Sequence, residues 1–96
     1  ADVKVIPIGG PWRAMINNTN NQITFEAVKK ITANYSKHPA FMAYGVYDEP
    51  AADLYPRLAE CLKMIIKADP KHPPLINLLP SYGSPIQLGA PNFRAY

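Results

Sequence analysis

Cysteine is nearly absent from this chain of 96 residues, where Cys61 stands alone. A single thiol excludes an internal disulfide framework and any zinc cluster built on cysteines. Long apolar runs are missing as well: nothing approaches the roughly eighteen consecutive apolar residues of a membrane-spanning helix, so no membrane span is expected. The opening Ala1-Asp2-Val3-Lys4 lacks a basic segment followed by an apolar one, so no signal peptide is read in it. Charge of one sign is thin. Ten Lys and Arg stand against seven Asp and Glu, and Lys29-Lys30 is the only adjacent basic pair, so no nucleic-acid partner is expected. With 48% hydrophobic and 18% charged residues, the remaining class is a globular chain of at most one small domain.

Proline is what the chain has in excess. Eleven prolines punctuate three apolar runs and two helical ones. The β-branched run over 3–8 predicts a strand that stops at Gly9-Gly10-Pro11. From Trp12 to Gln22 the chain turns polar and Asn-rich, which predicts a surface loop. Thr24 is placed to cap a helix carrying Phe25, Val28, Ile31 and Tyr35, closed by Lys37-His38-Pro39. Residues 41–47 form a near-continuous apolar run, as in a strand of a parallel sheet. Asp53 is a candidate N-cap for a second helix, with Pro56 in its first turn. Leu54, Leu58, Cys61, Leu62, Ile65 and Ile66 then recur on one helical face. A third strand is predicted over 75–79, and the tail from Ser81 to Tyr96 reads as loop, with a helix beginning near Asn92.

The order β-α-β-α-β, with Lys-His-Pro recurring at 37–39 and 71–73, predicts repeated βα units. Fold class is therefore α/β, a parallel βαβαβ segment of the (β/α)8 TIM-barrel type, with 1–96 as a partial barrel domain. Three parallel strands alone leave two sheet edges unpaired, which is why the chain reads as part of a domain. The alternative is a small doubly wound sheet with helices on opposite faces.

Ligands of parallel α/β folds gather at the carboxyl ends of the strands. Three segments fall there: Gly9 to Trp12, Tyr47 to Pro50, and Asn77 to Tyr82. Asp48 and Glu49 follow an apolar strand, where either is a candidate proton donor or a helix cap. Trp12 is placed to offer an aromatic face to a ligand or to close the barrel mouth as an apolar lid. Asn77 and Tyr82 are candidate hydrogen-bonding partners of a substrate. His38 and His72 fall in the helix-to-strand turns at the other end, with no third ligand converging, so no metal is expected. No cofactor is expected either. Cys61 lies on an apolar helix face and reads as a buried, inert thiol. Asn17-Asn18-Thr19 and Asn34-Tyr35-Ser36 match the N-glycosylation pattern, a triplet that arises easily by chance.

The stretch from His38 to Pro50, with His38-Pro39-Ala40, Gly45 and Asp48-Glu49-Pro50, resembles a segment of bacterial TIM-barrel glycoside hydrolases, similar to the retaining clan of β-galactosidases and cellulases. The run Asp69-Pro70 to Tyr82, through Ile76-Asn77-Leu78-Leu79-Pro80, resembles the same group. The likeness covers 38–82 and implies that 3–8, 41–47 and 75–79 are barrel strands three, four and five. It implies a general acid/base at Glu49, substrate contacts from Trp12, Asp48, Asn77 and Tyr82, a carbohydrate substrate, and a secreted or periplasmic parent. Where the clan carries Asn before its acid, this chain carries Asp48, which when ionised only accepts hydrogen bonds.

Retaining hydrolysis needs two carboxyl groups about 5–5.5 Å apart, inverting hydrolysis about 6.5–9.5 Å. Adjacent strand residues point to opposite faces, so Asp48 and Glu49 are not that pair while both stay in the strand. Asp53 is the nearest other carboxylate in sequence. The clan's nucleophile comes from a seventh strand, so the chain is expected to be inactive alone and to self-associate or await the rest of a barrel. A carbohydrate-binding or purely structural module without catalysis is the competing reading.

Overall fold

A computed structural model describes residues 6–96. Its elements in chain order are α1 (Pro11–Asn17), α2 (Phe25–Ser36), β1 (Tyr44–Asp48), a 3₁₀ turn over Ala52–Leu54, α3 (Tyr55–Ala68), β2 (Pro74–Asn77) and α4 (Pro85–Leu88). The strand expected over 3–8 lies partly outside the described residues. Its outgoing end is described: Ile8 makes a parallel bridge with Gly45, Gly45 N–H donates to Pro7 O at 3.0 Å, and Gly9 N–H donates to Gly45 O at 2.9 Å.

β1 and β2 pair in parallel, so both carboxyl ends fall on one edge of the molecule. The register runs Tyr44 with Pro74 and Gly45 with Leu75, then shifts to Tyr47 with Ile76 and Asp48 with Asn77. Val46 is the extra residue of that bulge. A bulge breaks the two-residue alternation of side chains, and here Val46 and Tyr47 are both buried in the core.

Both long helices lie on the same face of the sheet, because α2 packs directly on α3. Between helices and sheet sits a core of Val28, Tyr44, Val46, Leu58, Cys61 and Ile65, closed at one side by Trp12 and Ile16. The other sheet face is open: Ile8 is 63% exposed and Leu75 44%. Helices on opposite faces, the mark of a doubly wound sheet at its switch point, do not occur among the described residues.

Gly45 is required at the centre of this arrangement. A Cβ there would stand 2.5 Å from Pro7 O and 2.7 Å from Ile8 Cγ1, so only glycine lets the first segment approach β1 this closely.

The capping of α2 follows the sequence, with the Thr24 hydroxyl accepting from Ala27 N–H at 3.3 Å. Several expectations are corrected. Trp12 to Gln22 is not a loop throughout: Pro11 starts α1, where its missing N–H needs no partner. Asp53 caps nothing. It lies in the 3₁₀ turn, and Leu54 holds the cap position of α3 with no side-chain bond. The second strand starts at Tyr44 and the third ends at Asn77, both shorter than the apolar runs that announced them. No helix begins at Asn92; the tail's helix is α4, opened by a capping box in which Ser84 and Gln87 satisfy each other's backbone N–H groups.

Candidate functional site

The site is assembled where β1 and β2 end. The register that sets Asp48 opposite Asn77 brings their side chains together, and Asn77 Nδ2 donates to Asp48 Oδ1 at 3.1 Å. Both side chains are exposed. The amide uses one N–H on the carboxylate and keeps its Oδ1 as an acceptor; the carboxylate keeps Oδ2 free to accept from a hydroxyl.

Glu49 follows at once and leaves the strand in the left-handed region, at φ 54°. That conformation is costly for a residue with a Cβ and persists only where the surroundings hold it. Glu49 N–H donates to Asn77 O at 2.6 Å, which ties the turn to β2. The Glu49 side chain is exposed and Pro50 behind it is buried, so the carboxyl group stands on a fixed backbone facing solvent. The left-handed turn also breaks the strand's alternation, so Asp48 and Glu49 are not bound to opposite faces as two strand residues are.

Of the other candidate residues, Tyr82 stands in the turn after β2 and is 87% exposed. Trp12 is not with them. It is 2% exposed, its ring set edge-on to Tyr44 with centroids 5.7 Å apart, so it presents no open face for stacking. The signal for its burial was present in the sequence: Pro11 at a helix start, then Trp12 and Ile16 one turn apart.

A second polar cluster, which sequence reasoning missed, lies at the opposite end of β1. Tyr44 OH donates to Asp69 Oδ2 at 2.6 Å, and His72 Nδ1 meets the same oxygen at 2.7 Å. Lys71 N–H donates to Asp69 Oδ1 at 3.3 Å. Burial acts to raise the Asp69 carboxyl, but the bonds from Tyr44 and His72, the His72 charge and the Lys71 amide outweigh it and hold the group below its ordinary range. Tyr44 is pushed up, first by burial and then by the carboxylate it serves.

Arg57 of α3 forms a third polar centre. Its guanidinium donates to the carbonyls of Ile16, Met15, Asn21 and Asn18 at 2.8–3.1 Å, closing the end of α1 and the loop after it. Cys61 is buried one turn further on, and burial raises its thiol to about 11 against a smaller opposing effect of Arg57. It is therefore a packed thiol with no thiolate character near neutrality.

No three His, Cys, Asp or Glu side chains are grouped to hold a metal ion among the described residues. No described helix is long and apolar enough to cross a membrane. Comparison with protein-family models, curated proteins and solved structures finds no match.

Proposed function

We propose that this chain is part of the catalytic domain of a glycoside hydrolase, contributing strands three to five of a (β/α)8 barrel, with Glu49 as general acid/base. The observation that carries the reading is the Asp48–Asn77 pair at the ends of two adjacent parallel strands, with an exposed carboxyl group on the next residue. Sequential parallel pairing with both helices on one face, and an apolar face left open on the other, supports the barrel. Ile8 and Leu75 on that face are to be covered by the remaining strands, or by self-association when these are absent.

In this scheme protonated Glu49 gives its proton to the glycosidic oxygen as the bond to the anomeric carbon breaks. The second carboxylate bonds that carbon as the leaving group departs; Glu49, now a carboxylate, then takes a proton from the water that attacks the carbon and displaces the second carboxylate. Asp48 Oδ2 accepts from a sugar hydroxyl, while Asn77 both holds Asp48 in place and offers its own carbonyl. Tyr82 is the exposed aromatic nearest in sequence to Asn77 and is assigned to substrate contact; Trp12 is not. The second carboxylate is supplied by a barrel strand other than these. The proposal carries with it a secreted or periplasmic parent, on the resemblance alone.

The test is leaving-group dependence in the full-length protein. Glu49→Gln should lower kcat/KM for glycosides with poor leaving groups about 10²–10⁴-fold. It should spare aryl glycosides whose leaving groups need no protonation. Equal turnover by Glu49→Gln on every substrate overturns the assignment, and sugar binding without turnover by the unmodified protein favours the non-catalytic module.

A further inference from the structure

We infer that Tyr96 is a positioning residue for Glu49. Its hydroxyl donates to Pro50 O and accepts from Leu79 N–H at 3.2 Å. Pro50 directly follows Glu49, and Leu79 lies two residues beyond Asn77. One hydroxyl therefore joins the two segments that leave β1 and β2. Glu49 N–H bonded to Asn77 O closes the same gap one residue earlier.

The hydroxyl is itself held firmly. The tail turns at Asn92, whose Oδ1 accepts from Ala95 N–H at 2.9 Å, and Tyr96 N–H donates to the carbonyls of Asn92 and Phe93. The Tyr96 ring lies 5.3 Å from that of Tyr55 at the start of α3 and 5.9 Å from that of Phe93. The phenol thus reaches the strand ends from a platform anchored on a helix.

The reason such a clamp is needed is the left-handed backbone of Glu49. Left to local preference, a glutamate relaxes to negative φ, which would swing both the carboxyl group and the amide that bonds Asn77. Bonds to the residues on either side of the strained unit remove that freedom: the Asp48 side chain on Asn77 before it, the Pro50 carbonyl on Tyr96 after it. The geometric claim is independent of chemistry. Its bearing on proton transfer rests on the general-acid reading of Glu49.

Tyr96→Phe keeps the ring packing and deletes the hydroxyl. In the full-length protein, hydrogen exchange at the Glu49 and Leu79 amides should accelerate about tenfold, with the Ile65 amide of α3 unchanged as the control for global stability. Adding Glu49→Gly should restore slow exchange at position 49, because glycine adopts positive φ without a clamp. An unchanged Glu49 amide in Tyr96→Phe, or failure of glycine to restore it, overturns the proposal. A fall in kcat at constant KM, larger for poor leaving groups, is expected of the same variant. Faster exchange with unaltered turnover would leave Tyr96 as the positioning residue and reject the general-acid role of Glu49.

Discussion

Tyr44 and Asp69 meet at 2.6 Å across the gap between the first residue of β1 and the residue that ends α3. A carboxylate at a helix C-terminus faces the negative end of the helix dipole, an unfavourable place for it. The phenol and the His72 ring offset this by giving the buried oxygen two partners. Tyr44→Phe removes one charge-assisted bond and should cost about 2 kcal/mol by urea denaturation.

The same carboxylate makes stability depend on acid. Its folded pKa is depressed, so the folded state binds the proton less tightly than the unfolded chain does. The stabilisation is complete above the unfolded value, about 3.9, and is lost as pH falls from there through the lower folded value. Between about pH 5 and pH 2 the urea midpoint of the unmodified protein should fall more steeply than that of Asp69→Asn. Parallel curves for the two would show that another group carries the acid transition.

Arg57→Met keeps the apolar stem and removes four donors from carbonyls of α1 and its following loop. The expected loss is about 2 kcal/mol, with Lys a poor substitute because an ammonium cannot reproduce the planar fork. Thermal denaturation of Met, Lys and unmodified proteins decides this; a lysine variant as stable as the original would reduce Arg57 to a simple point charge.

Gly45→Ala forces a methyl group into the space held by Pro7 and Ile8. Overpacking of this kind costs about 1–3 kcal/mol. The Gly9 amide, which bonds Gly45 O, should lose exchange protection first. Retained protection at Gly9 with full stability would mean that the first segment moves aside without penalty.

Glu49→Gly tests stability against activity at one position. Releasing the left-handed strain should raise stability by about 0.5–1 kcal/mol, and if the proposed general-acid role holds the same change abolishes acid assistance. Calorimetry and turnover of a poor-leaving-group glycoside, run on the same preparation, read both effects.

What the sequence made legible was periodic or local. The α3 face of Leu58, Cys61 and Ile65 and the Thr24 cap are visible because a helix repeats every 3.6 residues and a cap acts across one turn. Strand limits were less visible, since apolar character is not pairing: Met42 and Leu78 belong to the apolar runs, yet they are 53% and 54% exposed and lie outside the pairing of β1 with β2. For the site, the candidates Asp48, Glu49 and Asn77 were identifiable from strand ends. That Asp48 and Asn77 bond across 29 residues follows from sheet register. Arg57 gave no local sign of its role, nor did the bond of Asp69 to Tyr44, because those partners are set by how helices dock on neighbouring segments.

The order of assembly is written into the Arg57 contacts. Helix α1 has seven residues and no side-chain cap at its start, too short to persist before tertiary contacts form. Its closing carbonyls find their donor on α3, 41 and 42 residues away for Ile16 and Met15. α1 is thus expected to consolidate after α3, with its native bonds still absent from the folding transition state. Substitutions at Arg57 or within α1 should leave the refolding rate nearly unchanged and quicken unfolding, giving φ-values near zero, whereas truncations at Leu58 or Ile65 slow refolding.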